Sequence, residues 1–385
     1  MDYFLNDEQK MIIELSRKVA QEKIAPVVEH HDETEEFPWE IVKVLSESDL
    51  FGIYIPEAYG GLGGGVFELC LSVEELSKVC GGISLCLAAT ALGTFPILLF
   101  GTDEQKKKYI PDIAKGKKLA AFALTEANAG SDAGSIETTA KKDGDYFILN
   151  GTKQWITNGG EAEVYTVIAM TDKAKGSRGA TAFIVEKGTP GFSFGKKEKK
   201  MGIRASATRE LVFDNCRVHK QNILGKEGAG FIVAMKTLDQ SRPGVASQAL
   251  GIAQGALDKA VEYSRQRIQF DKPISSFQAI QHMLADMATQ VEAARALVYA
   301  VARAIDSGAK DISKVSAMSK LFASDVAMKV TVDAVQVFGG YGYMREYPVE
   351  KMMRDAKITQ IYEGTNQIQR NVIALQLIKE SAAKK

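Results

Sequence analysis

The spacing of apolar residues divides the chain into three zones. Up to about residue 120, apolar positions recur every three or four residues, which is typical of helices that bury one face. Residues 7–21 carry such a stripe and predict a helix that ends before Pro26. Residues 40–48 and 67–79 follow with similar stripes. We therefore expect an N-terminal α-helical domain over residues 1–120.

One uncharged segment, residues 79–102, is long enough to cross a bilayer. It contains several glycines, hydroxyl-bearing residues and Pro96, which favour a buried helix of a globular protein that is broken near the proline. We expect no membrane span. The first five residues lack the basic and apolar regions of a signal peptide, so none is expected.

The middle zone, residues 121–230, changes to short β-rich segments between turn signals. Residues 146–149 lead into Asn150-Gly151, a pair typical of a tight hairpin turn. Residues 164–170, 180–186 and 210–213 continue the pattern. The prediction is an antiparallel β domain.

Helical spacing returns from residue 231 to 385. Residues 239–243 predict the start of a helix with Pro243 in its first turn, and residues 283–307 and 315–337 predict further long helices. Together they indicate a C-terminal four-helix bundle. The fold class is therefore an α+β multidomain protein.

Composition narrows the possible functions. The 48 basic and 48 acidic side chains cancel, which argues against a nucleic acid partner held by bulk charge. The four cysteines have no metal-ligand spacing and predict reduced core thiols of a cytoplasmic protein. The four histidines are scattered, so no metal site is expected. The lysine-rich residues 196–200 are interpreted as a solvated loop without a site.

The most informative segment surrounds Glu363, which follows Tyr362 and precedes Gly364. A carboxylate against an aromatic wall has its pKa raised by desolvation, which suits a general base that acts on a weak carbon acid. Gly364 allows the backbone to approach a ligand closely. Glu363 is therefore the candidate catalytic residue.

The segment resembles the C-terminal signature of the acyl-CoA dehydrogenase family, and the resemblance extends over essentially the whole chain. The blocks that carry it are residues 56–61, 124–132, 150–159, 200–206, 336–343 and 347–370. Among members of the family, the chain is most similar to the short-chain, butyryl-CoA-like enzymes of anaerobic bacteria. The resemblance implies the α, β, α fold of that family, a homotetramer built as a dimer of dimers, and a bacterial cytoplasmic location.

The resemblance also implies FAD as the cofactor. No glycine-rich dinucleotide fingerprint follows a strand, so a Rossmann-type site is not supported. The cofactor contacts implied by matching the family's segments are Phe122, Leu124, Thr125, Gly130, Ser131, Trp155, Ile156, Thr157, Arg267, Gln269, Phe270, Gln278, Gln336, Gly339, Gly340, Thr365 and Gln367. The family commonly has glycine after the residue matched by Phe270, where this chain has Asp271.

For the acyl-CoA substrate, the resemblance implies contacts with Ser131, Asp239, Arg242, Tyr362 and Gly364. It implies that Glu363 removes the α-proton while the β-hydrogen passes to the flavin, and that electrons then pass to an electron-transferring flavoprotein. Other members place their base next to the residue matched by Arg242. Ser241 stands there in this chain, which leaves Glu363 as the candidate.

The substrate is expected to be a saturated, neutral acyl-CoA of short to medium length, because residues 79–102 offer no charged partner for a distal carboxylate. A branched or alicyclic acyl-CoA dehydrogenase is an alternative. A flavin-dependent acyl-CoA oxidase is a second alternative, although the chain is shorter than the two-lobed oxidases. A catalytically silent scaffold is a third, and Glu363 argues against it.

Overall fold

The computed structural model describes residues 3–383. The expectation about a signal peptide rests partly on Met1 and Asp2, which lie outside the described residues. The helices are α1 (Asp7–Val19), α2 (Val28–Thr34), α3 (Trp39–Glu47), α4 (Val66–Ser77), α5 (Leu85–Phe100), α6 (Asp103–Ala114), α7 (Gly230–Gln266), α8 (Gln278–Asp306), α9 (Ser313–Phe338), α10 (Pro348–Thr359) and α11 (Asn366–Ala382). The strands are β1 (Ala120–Ala123), β2 (Thr139–Asp143), β3 (Tyr146–Thr157), β4 (Val164–Met170), β5 (Ala180–Glu186), β6 (Phe192–Lys197), β7 (Thr208–His219), β8 (Ile223–Leu224), β9 (Ile268–Gln269) and β10 (Lys272–Pro273).

The first helix begins and ends close to the bounds that its sequence predicts. Asn6 accepts a hydrogen bond from the Gln9 backbone N–H, and the Gln9 side chain accepts one from the Asn6 backbone N–H, which forms a capping box. The helical path then continues through a π-helical turn (Ala20–Ile24) and a 3₁₀ turn (Ala25–Val27) into α2. The predicted end of the α-helix before Pro26 is confirmed, since α1 ends at Val19, and the proline lies in the first turn of the 3₁₀ segment, where its missing N–H costs little.

Helix α5 corrects the prediction of a break near Pro96. The proline lies inside the helix, which continues to Phe100. Burial on most sides explains the tolerance, since packing compensates for one lost backbone hydrogen bond. Gly93 of α5 lies against β1, so close that an added Cβ would be 2.4 Å from the Ala121 nitrogen. No helix of residues 3–383 combines the length and apolar character that a membrane crossing requires.

The middle of the chain forms an eight-stranded sheet in the order β6-β7-β3-β2-β4-β5-β8, with β1 beside β4. Most pairs are antiparallel as predicted, but β1 and β2 each pair with β4 in parallel. The predicted hairpin at Asn150-Gly151 is wrong. The β2–β3 turn lies at Gly144 instead, and Gly151, with φ of 143°, lies at a bulge inside β3, where an added Cβ would be 2.7 Å from the Thr138 Cα.

The C-terminal helices pack around α7 and α9, with α8, α10 and α11 alongside. The predicted helix start at residues 239–243 is wrong, because α7 begins at Gly230 and Pro243 lies in its interior. The four cysteines are free and buried, as expected.

Helix α10 joins the three parts of the chain. The Arg354 guanidinium on α10 donates hydrogen bonds to the Asp32 carboxylate of α2 and to the Met201 carbonyl of the β6–β7 loop. The Asp355 carboxylate accepts a 2.5 Å hydrogen bond from the Ile203 backbone N–H of the same loop. These contacts place the end of α10 firmly between its neighbours, and the candidate base follows four residues later.

Candidate active site

A cavity of about 440 Å³ lies between α5, the start of the sheet, α7 and the loop that joins α10 to α11. Its apolar side is formed by aliphatic and aromatic side chains from several helices. These residues are Leu69, Leu85, Ala88, Ala89, Leu92, Phe95, Phe231, Met235, Leu238 and Val245. Helix α5 therefore supplies the uncharged wall that was expected from its sequence.

A second cavity of about 570 Å³ adjoins the first. The residues that line both are Thr125, Gly130, Ser131, Trp155, Thr157, Tyr362, Glu363 and Gly364. The second cavity continues along the β6–β7 loop and one face of α10. Glu363 thus stands at the junction of the apolar chamber and a larger cavity, whose lining includes the charged residues Lys199 and Lys200.

The backbone around Glu363 forms a sharp turn between two helices. Glu363 has a φ of 51° and Gly364 a φ of 89°; Gly364 adopts this left-handed conformation without strain, whereas at Glu363 it has a steric cost. Thr365 then caps α11, its hydroxyl accepting a hydrogen bond from the Ile368 N–H. The Gln369 amide donates to the carbonyl oxygens of both Glu363 and Gly364. The turn is therefore held from the helix that follows it.

The Glu363 carboxyl group is surrounded by protein and opens onto the cavity. Its Oε2 accepts a 2.7 Å hydrogen bond from the Ser241 hydroxyl of α7. Burial raises the pKa of Glu363 to about 7, although the Ser241 hydrogen bond and the charges of Arg242 and Lys320 each lower it. The carboxyl is therefore poised to gain or lose a proton near neutral pH.

Arg242 and Asp239 form a buried ion pair on α7, with 2.8 Å between Arg242 Nη1 and Asp239 Oδ1. Arg242 lines the apolar cavity, but Asp239 does not. Asp239 also accepts a hydrogen bond from the Ser313 hydroxyl. The structure thus places Asp239 behind Arg242, where it holds the guanidinium, whereas Ser131, Arg242, Tyr362 and Gly364 face the cavity.

Trp155 projects from a second bulge of β3, at which the pairing with β7 shifts register. The residue has a φ of 57°, and 53% of its surface is exposed toward the cavities. A bulge re-aims side chains in this way. The Gln154 N–H donates to the Thr125 carbonyl, which ties the two segments predicted to hold the flavin to one another.

A buried lysine reinforces this junction. Lys153 Nζ donates to the Leu124 carbonyl and lies 2.6 Å from Glu126 Oε1. Glu126 also accepts hydrogen bonds from the backbone N–H groups of Glu137 and Thr138. Phe122, Leu124 and Ile156, three further predicted cofactor contacts, line the apolar cavity beside these segments.

A third cavity, of about 490 Å³, brings together Arg267, Gln269, Gly339 and Gly340. The Arg267 guanidinium lies over the ring of Tyr341. Four predicted cofactor residues, Phe270, Gln278, Gln336 and Gln367, are exposed and line none of these three cavities. Within this chain, the predicted contacts thus form two separate groups. Asp271 is exposed, in a two-residue turn with Phe270.

Comparison with known families accounts for nearly the whole chain. The N-terminal, middle and C-terminal domain models of acyl-CoA dehydrogenase match residues 6–117, 121–216 and 228–378, respectively. The chain belongs to the acyl-CoA dehydrogenase family. It is an oxidoreductase of a family of FAD-dependent flavoproteins, and its three-part fold is the fold of that family.

Several relatives are similar to this acyl-CoA dehydrogenase over their full length. A short-chain-specific acyl-CoA dehydrogenase of Megasphaera elsdenii is 52% identical over 96% of this chain and 97% of its own. The butyryl-CoA dehydrogenase structure from the same organism has a TM-score of 0.96 at 51% identity, covering 98% and 100% of the two chains. A chain from a structural study of the electron-transferring flavoprotein of Acidaminococcus fermentans has a TM-score of 0.96 at 54% identity, covering 98% and 99%.

The polar groups at the junction of the two cavities fit the FAD of an acyl-CoA dehydrogenase. The hydroxyl groups of Thr125, Ser131 and Thr157 have no hydrogen-bond partner among residues 3–383, although all three line both cavities. A flavin ring carries donors and acceptors along its edges and an aromatic face. The free hydroxyls and the exposed Trp155 ring match these features.

Sequence analysis missed several residues of this acyl-CoA dehydrogenase site. The loop residues Lys199 and Lys200 line the second cavity although no site was assigned to them, and burial lowers the pKa of Lys200 to about 8. Ser241 was noted only for lacking a carboxylate, yet it donates to Glu363. Lys320 was not singled out, and its buried ammonium lies beneath the turn. In the part of the chain that the structure describes, no three His, Cys, Asp or Glu side chains cluster as a metal site.

Proposed function

We propose that this acyl-CoA dehydrogenase acts on saturated, neutral acyl-CoA thioesters of short to medium length and forms the trans-2-enoyl-CoA, with Glu363 as the base. One observation carries the proposal. The Glu363 carboxyl stands where the apolar chamber meets the second cavity, and its pKa is raised to about 7. Efficient general bases have pKa values near the working pH.

The surroundings of Glu363 suit removal of an α-proton. The backbone N–H of Glu363 has no hydrogen-bond partner among the described residues, so it is free to donate to a thioester oxygen. A donor at this position stabilises the negative charge that develops on that oxygen as the proton leaves. The apolar walls exclude water, which strengthens this interaction.

Bound FAD supplies the acceptor for the β-hydrogen and its electron pair. Thr125, Ser131 and Thr157 would hold the polar edges of the flavin ring, and Trp155 would flank its face. Lys153 and Glu126 keep the two supporting segments together. With these groups in place, the residues of this chain would orient the substrate's α-carbon toward Glu363.

The second group of predicted contacts lies at the third cavity, away from Glu363. Arg267, Gln269, Gly339 and Gly340 would bind the pyrophosphate and adenosine of the FAD of a neighbouring subunit. Both groups are needed to hold one cofactor, so we infer at least two subunits, and the homotetramer that the family resemblance implies would supply them. Phe270, Gln278, Gln336 and Gln367 are exposed, as residues that contact a second subunit would be before assembly.

Two features support a short, neutral acyl chain. The cavity wall contributed by α5 has no charged side chain, and leaving a carboxylate there without a partner costs several kcal/mol. The Tyr362 hydroxyl donates to the Gln248 amide oxygen within the same cavity, so these two polar side chains bind each other and bring no charge to it. The relatives described above are short-chain-specific and butyryl-CoA enzymes. We infer that electrons leave through an electron-transferring flavoprotein, with which one of these similar structures was studied.

The decisive test replaces Glu363 by glutamine. Glu363→Gln keeps the size of the side chain but cannot accept a proton, and a positioned base contributes about a hundred- to ten-thousand-fold. We expect it to bind FAD and butyryl-CoA yet to lose reduction of the flavin by that factor. Glu346→Gln, an exposed residue of the loop before α10, is the control and should behave as the unmodified enzyme.

The same preparation separates the alternatives. Turnover measured with linear, branched and alicyclic acyl-CoAs identifies the acyl chain. Oxygen consumption compared with reduction of an artificial acceptor distinguishes an oxidase from a dehydrogenase. Retention of more than about a tenth of the activity in Glu363→Gln, a loss under about 1.4 kcal/mol, would show that Glu363 is not the base.

A further inference from the structure

Lys320, on α9, is a charged side chain that the proposed reaction does not use, and none of its surface is exposed. Its Nζ donates to the Gly364 carbonyl at 2.8 Å and to Asn366 Oδ1 at 3.0 Å. Lysine is almost never fully buried without a paired charge. Its partners here are neutral oxygens on the turn that carries Glu363, so its position calls for an explanation.

We propose that Lys320 is a positioning residue for the base. From beneath the turn it holds the Gly364 carbonyl and supplies a positive charge that favours the carboxylate form of Glu363. This inference rests on the proposed function, because it assigns Lys320 a role only if Glu363 accepts the α-proton.

The contacts support a role in geometry. Gly364 and Asn366 stand on either side of Thr365, the residue that caps α11, so Lys320 bridges the turn and the first residue of the helix. The Asn366 side chain is also bound by Ser324 of α9 and donates to Asp325 Oδ1. A lysine that joins these groups fixes the left-handed turn relative to α9.

The charges around the carboxyl support a role in electrostatics. Two cations face Glu363, Arg242 from α7 and Lys320 from α9, and the neighbouring hydroxyl of Ser241 donates to it. Arg242 is already neutralised by Asp239. Lys320 makes no ion pair among the described residues, so its charge acts on Glu363 without a competing partner at contact distance.

The remaining acids and bases nearby are paired elsewhere. Asp325 of α9 accepts hydrogen bonds from Arg370 of α11 and from the Gln360 amide. Tyr362 is engaged with Gln248. Helix α5, which forms the opposite wall, carries no charged residue. Burial lowers the pKa of Lys320 to about 7, while the charge of Glu363 acts in the opposite direction and raises it.

The direction of the effect follows from these charges. The Lys320 charge lowers the pKa of Glu363, so a neutral residue at position 320 would raise it. Because the base acts only when it is deprotonated, the acidic limb of the profile of kcat/KM against pH should then move to higher pH. We expect a shift of about one pH unit, the low end of the effect of one nearby opposite charge.

The experiment compares Lys320→Met with Lys320→Arg in the FAD-loaded enzyme. The methionine variant leaves neither acceptor without a hydrogen bond. The Gly364 carbonyl still accepts one from the Gln369 amide, and Asn366 Oδ1 still accepts one from the Ser324 hydroxyl. Its acidic limb should shift upward, whereas the arginine variant, which keeps the charge, should restore the original limb. Ser324→Ala removes a neighbouring hydrogen bond but no charge, and its limb should not move.

A second measurement does not depend on turnover. The protonated carboxyl of Glu363 can be followed by its infrared carbonyl band, assigned by its loss in Glu363→Gln, and the pH at which it disappears should rise in Lys320→Met. Lys320→Gln, which is neutral but can still donate to Gly364, replaces the methionine variant if that protein does not fold. An unmoved limb and an unmoved band, with Glu363→Gln inactive, would overturn the role of Lys320 alone. An active Glu363→Gln would overturn the proposed function itself.

Discussion

The hydrogen bond from Ser241 to Glu363 leads to a prediction about pH. The hydroxyl donates to Oε2 over 2.7 Å and lowers a pKa that burial raises to about 7. A hydrogen bond to a charged group contributes about 1.5–3 kcal/mol, and one pKa unit corresponds to about 1.4 kcal/mol. Replacing Ser241 with alanine should therefore raise the pKa of Glu363 by about one to two units.

The assay is the initial rate of acyl-CoA-dependent dye reduction, measured as kcat/KM from acidic to alkaline pH. In Ser241→Ala, the acidic limb should move to higher pH by about one to two units. The rate at a fixed acidic pH should therefore fall by about ten- to a hundredfold. The rate above the limb should change far less, because the carboxylate is present there in both proteins. Ser264→Ala, another buried serine of α7 whose hydroxyl donates only to a helix carbonyl, should leave the limb in place. A limb that stays fixed or moves downward in Ser241→Ala would show that this hydrogen bond does not act on the base.

Three further predictions concern the substrate and the packing of the site. Glutaryl-CoA should be turned over far more slowly than butyryl-CoA, and comparable values of kcat/KM would refute the inference of a neutral acyl chain. Arg242→Met should lower the free energy of unfolding by about 3–5 kcal/mol in urea titrations, because it leaves the Asp239 carboxylate buried without its cation; an unchanged midpoint would contradict this. Gly93→Ala should destabilise the protein by about 1–3 kcal/mol in thermal melts, because the new methyl group meets the Ala121 backbone. In the same melts Gly244→Ala, whose added Cβ lies 4.0 Å from the nearest atom, should be neutral or stabilising.

The sequence predicted best where a local pattern determines a local structure. The position of Glu363 could be inferred because Tyr362, Glu363 and Gly364 are adjacent and lie in a long block shared with a known family. Helices α8 and α9 could be inferred from apolar spacing, and the structure places them within five residues of the predicted bounds. Such elements depend on neighbouring residues, which sequence analysis considers directly.

The failures occurred where tertiary packing overrides local preference. Asn150-Gly151 has the composition of a turn, but the sheet uses the glycine for a bulge because β3 continues to pair with β7 beyond it. Pro96 and Pro243 lie inside helices that burial sustains. The contacts of Glu363 with Ser241 and of Gly364 with Lys320 span 122 and 44 residues, and no local pattern indicates them.

The way in which α10 joins the three parts bears on how this protein can diverge. Toward the middle part of the chain, Arg354 contacts the Met201 carbonyl and Asp355 contacts the Ile203 N–H, both of which are backbone groups. Any residue at position 201 provides the carbonyl, and any residue except proline at position 203 provides the N–H. Toward the N-terminal part, Arg354 contacts the Asp32 carboxylate, which few other residues could replace. Position 201, whose side chain is exposed, can therefore vary without loosening the support of the base, whereas positions 32 and 354 must change together. Gly202 is fixed, because an added Cβ would lie 2.4 Å from the Arg354 backbone. A chimera that exchanges the N-terminal part between distant relatives would keep its base in place only if it preserves that pair.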